Sequence, residues 1–314
     1  MSDTAPVLTS HLPLPLLHRG KVRDVYEVDA DTLLMVASDR VSAFDVVMGR
    51  PIPRKGEVLT LITAWWLSEL DGRLDHHLLA VDPDEIVRRH PALASSRDGW
   101  ARRAMLVRRT TPVLVECVIR GYIAGSAWKE YRTGGTLAGE PLPPGLQESS
   151  RLDPPIFSPA TKAQEGHDEN IPFSHVVDTL GADVANLLLR RSMEVYEFGR
   201  DRAAQAGIIL ADTKFEFGFD GAGRLLLIDE VMTPDSSRFW PQESYAVGRG
   251  QPSLDKQPIR DWLDSLEDWD KTPPPPELTD EVVDSASRRY MDIFQRLTGS
   301  SLDAFTLPHF GDDA

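Results

Sequence analysis

Asp212, Lys214 and Glu216 alternate with Thr213, Phe215 and Phe217 along one short run. Successive side chains of a strand point to opposite faces, so the two carboxylates and the lysine share one face and Phe215, Phe217 and Phe219 share the other. Asp220-Gly221-Ala222-Gly223 suits a four-residue hairpin turn ahead of Leu225-Leu226-Leu227-Ile228-Asp229. That turn pairs Phe219 with Arg224, Lys214 with Asp229 and Glu216 with Leu227, and so lands Asp229 on the charged face. A turn with an odd number of residues would send Asp229 to the other side. Hard carboxylate oxygens beside a lysine suit a Mg²⁺ ion that carries a polyphosphate. The alternative is a half-exposed hairpin with an ordinary charged face. Against it, Asp229 ends a continuous apolar run that implies burial on both faces, and a buried carboxylate needs a partner.

Other cations sit in segments of similar character. Lysine is scarce, at 7 of 34 basic side chains, and a compact ammonium supplies a rotatable point charge that an arginine fork does not. Gly20-Lys21-Val22-Arg23 opens a strand with two cations on one face, able to lie over phosphates or to serve as a basic edge strand. It is not a Walker A loop. Arg120 ends a strand, and Gly125-Ser126 begins a helix whose free N–H groups suit an anion; a plain N-cap is the competing reading. Asp235-Ser236-Ser237-Arg238 adds hydroxyls and a second arginine, so Arg120 and Arg238 form a candidate clamp for phosphate or carboxylate. Lys162, within Thr161-Lys162-Ala163-Gln164-Glu165-Gly166-His167-Asp168-Glu169-Asn170, lies in a long loop that reads as a lid or as a solvated connection. No His/Cys cluster has zinc-ligand spacing, and His76-His77 reads as surface.

The elements that must position these residues follow from hydrophobic period. Residues 1–18 read as a tail, and strands follow from Lys21 to Ala37. Gly56 to Leu70 fits a helix with Val58, Leu61, Ile62 and Trp65 near one face. Strands at Ala104–Val107 and Val113–Ile119 flank a short connection, which marks a boundary between an N-terminal lobe at 19–110 and a C-terminal lobe at 111–314. Ser126 to Thr133 makes a short helix capped by Ser126, and residues 175–206 make a long one that stops at Gly207. A four-proline linker precedes a last helix capped by Thr279, with Val282, Ala286, Tyr290, Ile293 and Leu297 on one stripe. The class is α+β in two lobes. A net charge of −15 argues against nucleic-acid or anionic-membrane partners but leaves room for phosphorylated small molecules in a local cationic pocket. The single cysteine, Cys117, lies in an apolar strand and reads as a buried structural thiol in a cytoplasmic protein.

Taken in order, Gly20 to Tyr26, Ser38-Asp39-Arg40-Val41-Ser42-Ala43-Phe44-Asp45, Val118 to Tyr122 with Gly125-Ser126, Thr161-Lys162-Ala163 with His167 to Asn170, Ala211 to Gly218, and Asp229 to Pro241 resemble the SAICAR synthetase family of purine biosynthesis. The chain resembles the longer form of that family, for which a monomer is the expectation. The resemblance implies a two-lobed fold related to ATP-grasp enzymes and kinases, with the nucleotide in the cleft between lobes. It implies the ligation of L-aspartate to carboxyaminoimidazole ribotide with conversion of ATP to ADP and phosphate. By the same resemblance, Lys21, Arg23 and Lys162 hold ATP phosphates, and Glu216 and Asp229 hold Mg²⁺ and so belong to the ATP site. Arg120, Ser126 and Arg238, with Lys256, Gln257 and Arg260, take the ribotide, and Asp39 and Ser42 take aspartate. Asp212 and Lys214 face the reacting groups, and adenine meets backbone near Arg108 to Val113. A small-molecule kinase of similar fold and a nucleotide-binding protein without activity stay open as alternatives.

Overall fold

The computed structural model describes residues 5–162 and 169–311. Of the expected lid, Gln164, Glu165, His167 and Asp168 lie outside the described residues.

Among the described residues the strands form two large sheets. The first is five-stranded and antiparallel, in the spatial order Leu16–Arg19, Arg23–Glu27, Thr32–Ala37, Ala104–Arg108, Leu78–Ala80. The second has seven strands built around the long strand Ile208–Phe219. Val115–Tyr122, Leu225–Ile228, Ser237–Pro241 and the short Thr111–Pro112 all pair with that strand, while Arg151–Phe157 and Ala160–Thr161 pair with Val115–Tyr122. The sheets part between Arg108 and Thr111. They are stitched together again by Asp75 to His77, whose backbone bonds Leu227 from both sides. That pairing buries His76 and His77, which the sequence reading had placed at the surface. Burial pushes the His77 pKa down to about 3, so its ring is neutral.

Helix Lys55–Glu69 lies at the centre of the molecule. The sequence reading gave it one apolar face, but every residue from Lys55 to Leu67 is buried. The reason is its place: it packs on strand Thr32–Ala37 on one side and on the C-terminal helix Asp280–Thr298 on the other. Gly56 permits this approach, since a Cβ there would stand 2.5 Å from the Ala37 carbonyl oxygen. The apolar core around this helix is continuous with that of the second sheet and of helices Ala182–Gln205 and Asp280–Thr298. A smaller core covers the far face of the first sheet with Ile86, Leu93 and Trp100.

Local chemistry explains the other differences. The 175–206 helical stretch is two helices, Phe173–Leu180 and Ala182–Gln205, broken at Gly181 with φ 83°. Ser126 does not cap its helix. That helix runs Gly125–Gly134 with Ala124 at the cap position, and Ser126 sits in its first turn. Thr279 does cap the last helix, accepting from the Val282 N–H at 3.3 Å, and its buried stripe takes in Val283 rather than Val282. The described part of the N-terminal tail is anchored: the buried Ser10 hydroxyl donates to Asp24, and the Val7 N–H donates to Asp39.

Gly121 sits in strand Val115–Tyr122 beside the buried Tyr196, whose hydroxyl donates to the Leu210 carbonyl at 2.9 Å. A Cβ at Gly121 would stand 1.9 Å from that hydroxyl. Gly121→Ala is therefore expected to displace the ring and break the bond, lowering stability by about 3 kcal/mol. The measurement is the urea unfolding midpoint. A shift equivalent to less than about 1 kcal/mol would mean that Tyr196 swings aside at little cost.

Candidate active site

One face of the second sheet carries the charged residues, and strand register fixes their order. Arg120 and Arg238 lie directly opposite Asp212 on the two strands that flank it, and opposed residues share a face. The result is a row across three strands. Asp212 Oδ2 accepts from Arg120 Nη1 at 3.1 Å and from Arg238 Nη1 at 2.5 Å. Among the described residues Asp212 Oδ1 accepts no hydrogen bond. Arg120 also donates to Ser158 Oγ at 2.8 Å and to Ser126 Oγ at 3.4 Å. Asp212 raises the Arg238 pKa, whereas burial pulls Arg120 below its ordinary value against the pull of Asp212. Gly125 has a use the sequence did not suggest. A Cβ there would stand 2.2 Å from Arg238 Nη2, so it is this arginine that lies over the glycine.

Two residues further along the central strand, Lys214 faces the same way. Its ammonium bonds Glu116 Oε1 at 2.5 Å and lies 3.9 Å from Glu216. Burial works against that charge, but Glu116 and Glu216 hold the Lys214 pKa well above the ordinary lysine value. Lys214 is thus a cation at neutral pH and no base. Glu116 escaped the sequence reading, although a period of two from Arg120 places it on this face. Lys162 bonds Glu216.

Asp229 reaches the same cluster by an unexpected route. The hairpin pairs Glu216 with Ile228 and Phe219 with Leu225, one residue off the expected register. Asp220 causes the shift. Its side chain accepts from the Ala222 and Arg224 N–H groups, and its own N–H donates to the Arg224 carbonyl, closing a five-residue turn. With that odd turn a regular strand would face Asp229 toward the core. Instead the strand ends at Ile228, and Asp229 adopts φ 60°. Its carboxylate bonds the buried Arg23, which also bonds Glu230 at 2.8 Å. Burial alone would push the Asp229 pKa up, yet Arg23, Lys162 and Lys214 together hold it low.

Beyond Arg238, Lys256 and Arg260 flank the start of helix Gln257–Asp264. Burial lowers both pKa values, and Asp235 opposes that for Lys256. Asp235, three residues before Arg238, is not its partner. It is buried and bonds Lys55 Nζ at 2.7 Å, on the central helix. Three expected residues stand apart. Lys21 bonds Asp45 on an exposed edge. Asp39 is a correction: it is fully buried, with its oxygens taken by the Val7 and Gly56 N–H groups and by Arg103 at 3.2 Å, so it anchors the start of the central helix. Ser42 is half-buried on the small hairpin that pairs it with Val47. Among the described residues no group of three or more His, Cys, Asp or Glu side chains is placed to hold a metal ion. None of their helices is long and apolar enough to cross a membrane.

A two-lobed α+β fold with a buried row of alternating cations and carboxylates on one sheet face defines an enzyme that handles polyanionic small molecules. The sequence model of SAICAR synthetase matches residues 16–276. A phosphoribosylaminoimidazole-succinocarboxamide synthase of Methylibium petroleiphilum is 51% identical over 304 residues, covering 95% of this chain and 100% of its own. Among solved structures, a SAICAR synthase from Saccharomyces cerevisiae complexed with SAICAR superposes with a TM-score of 0.86 at 41% identity, over 94% of this chain and 99% of that one. A type-2 SAICAR synthetase in complex with ADP superposes at 0.67 and 25% identity, over 93% and 99%. The chain belongs to the SAICAR synthetase family, whose reaction is the ATP-dependent ligation of L-aspartate to carboxyaminoimidazole ribotide in purine biosynthesis. The kinase and non-enzyme alternatives fall with that membership.

Asp229→Asn keeps the side-chain shape and removes its charge. Arg23 retains Glu230, so the protein is expected to fold with a melting temperature lowered by a few degrees. ATP turnover is expected to fall on the order of 10²-fold, the usual cost of one preorganised electrostatic group. Near-normal turnover would make Asp229 a structural partner of Arg23 and nothing more.

Proposed function

We propose that the charged face binds its substrates by exchanging partners. Five of its cations now rest on carboxylates of the protein itself: Arg23 on Asp229 and Glu230, Lys162 on Glu216, Lys214 on Glu116, and Arg120 and Arg238 on Asp212. That pairing is the observation that carries the reading. ATP phosphates would take over Arg23 and Lys162, with Lys21 swinging in from the edge, and adenine would lie against the connection near Arg108 to Val113. The ribotide's phosphate and carboxylate end would take Arg120, Ser126, Arg238, Lys256 and Arg260.

Glu216 and Asp229, released from their cations, would hold Mg²⁺. Two carboxylates fit this ion, which normally takes one or two from protein and completes its shell with phosphate oxygens and water. Bound there, Mg²⁺ would supply neutralisation of the polyphosphate charge. Everything else is done by the chain. Arg120 and Arg238, set in register by Asp212, orient the substrate carboxylate toward the γ-phosphorus. Phosphoryl transfer to that carboxylate releases ADP and leaves an acyl phosphate, because a bare carboxylate oxygen is a poor leaving group. The aspartate amine then attacks the acyl carbon; the amide C–N bond forms as the acyl C–O bond to phosphate breaks, and the departing phosphate takes the proton that the amine nitrogen loses. Lys214, always protonated, stabilises the oxyanions of both steps. Asp212 Oδ1, which accepts no hydrogen bond among the described residues, would accept from a substrate N–H. Ser42 stays in this reading as an aspartate contact, and Asp39 leaves it. A cytoplasmic location suits these small-molecule substrates and the lone buried cysteine.

Phosphate release measured with each component omitted in turn tests the reaction. ADP is expected only when ribotide, L-aspartate and Mg²⁺ are all present; equal ADP formation without L-aspartate would contradict the ligase chemistry. Arg238→Lys tests the clamp. A point charge cannot hold Asp212 and a ligand oxygen as a planar fork does. The KM for ribotide is expected to rise about 10- to 100-fold, as for loss of a charge-assisted bond, with those for ATP and aspartate nearly unchanged. An equal defect toward all three substrates would remove Arg238 from the ribotide site.

A further inference from the structure

The C-terminal helix Asp280–Thr298 lies beyond the proline run and carries none of the residues assigned above. It nevertheless reaches the site at two points. Tyr290, fully buried, donates its hydroxyl to Asp235 Oδ1 at 2.5 Å, while Lys55 takes the other oxygen, Oδ2, at 2.7 Å. The Lys55 ammonium lies 5.7 Å from the centre of the Tyr290 ring. One residue earlier in the helix, Arg289 donates to the Ser253 carbonyl at 2.5 Å. Ser253 in turn bonds Asp255, next to Lys256.

Both contacts fall on segments that deliver ribotide-binding cations. Asp235 lies in a tight turn, closed by the Ser236 and Ser237 N–H groups on the Thr233 carbonyl, and Arg238 leaves that turn directly into the strand opposite Asp212. Ser253 begins the segment that leads to Lys256 and Arg260. We propose that Tyr290, assisted by Arg289, is a positioning residue for the ribotide site: it fixes the Asp235 turn and the 253–256 segment together, and so sets Arg238 and Lys256 to one spacing. The inference rests on the ribotide reading given above. It gives one turn of the C-terminal helix, at Arg289 and Tyr290, a part in the site. The helix is also a core element, through Ile293, Phe294 and Leu297 on its buried side.

Tyr290→Phe keeps the ring and removes only the hydroxyl. The KM for ribotide is expected to rise about 10-fold, the lower end of what a hydrogen bond to a charged group contributes. The KM for ATP should change less than about twofold on the same principle, because Arg23 and Lys162 bond other carboxylates and not Asp235. Arg289→Met, which leaves the Tyr290 bond in place, should give a smaller rise of the same kind. Phe294→Leu serves as the control: it lies one turn further along the same helix, is fully buried and packs on Phe305. It should lower the melting temperature at least as much as Tyr290→Phe and leave all KM values unchanged. A ribotide KM unmoved by Tyr290→Phe, or moved equally by Phe294→Leu, overturns the inference. If Arg238→Lys raises that KM and Tyr290→Phe does not, the ribotide reading stands and the positioning role alone fails. If Arg238→Lys leaves it unchanged, the ribotide reading fails first. Should Tyr290→Phe not fold, Arg289→Met decides alone: a selective ribotide effect supports the inference, and its absence overturns it.

Discussion

A charge buried on a protein face needs a counter-charge within reach, because taking a lone ion out of water costs several kcal/mol even after relaxation. The cleft face carries Arg23, Arg120, Lys162, Lys214 and Arg238, and every one of them touches a carboxylate. This constraint sets the site's architecture. Strand pairing puts the carboxylates on the same face as the cations, and the cations stay extended and aligned instead of folding away toward solvent. An anionic substrate then meets guanidinium and ammonium groups already desolvated and oriented. It need only compete with the carboxylates that now hold them. Such preorganisation is where most of the catalysis of phosphoryl transfer resides.

The same constraint shows which parts of the molecule could be read from its residues. Strand parity is local and exact in period, so Asp212, Lys214 and Glu216 could be assigned to one face without any tertiary knowledge, and Arg120 and Arg238 fall on that face through simple pairing with Asp212. Glu116 was legible by the same parity and was passed over because it sits inside an apolar run. The hairpin register was not legible. It depends on whether the Asp220 side chain captures the Arg224 N–H, a choice between two turn lengths that Asp-Gly-Ala-Gly leaves open. Asp229 shows how little that error matters when a buried charge has a partner waiting. The strand stops one residue early and a left-handed backbone turns the carboxylate back to Arg23.

Long-range partners account for the remaining misses. Lys55 and Asp235 are 180 residues apart, and neither segment announces that its charge will be buried against the other. The all-round burial of helix Lys55–Glu69 comes from its position between the first sheet and the C-terminal helix, not from its own periodicity. His76 and His77 are buried for a similar reason, as the seam between two sheets. Asp39 lies in a motif whose residues the family resemblance ties to substrate, yet its carboxylate is spent on backbone N–H groups at the start of the central helix and on the N-terminal segment. In each case the residue type said that a polar partner was needed, and only the fold said which.

The overall charge of −15 is at odds with a site for two phosphorylated anions only at first sight. Distance resolves it. At physiological salt, exposed charges are screened beyond about 8 Å, so most of the surface carboxylates contribute little at the cleft. Within the cleft the balance is set by neighbours at hydrogen-bond range, and these are only weakly screened. A carboxylate there does not repel a phosphate in the way its formal charge suggests, because it is already paired with an arginine or a lysine. The charge that a ligand meets at the site is therefore set by these pairs and not by the net charge of the chain.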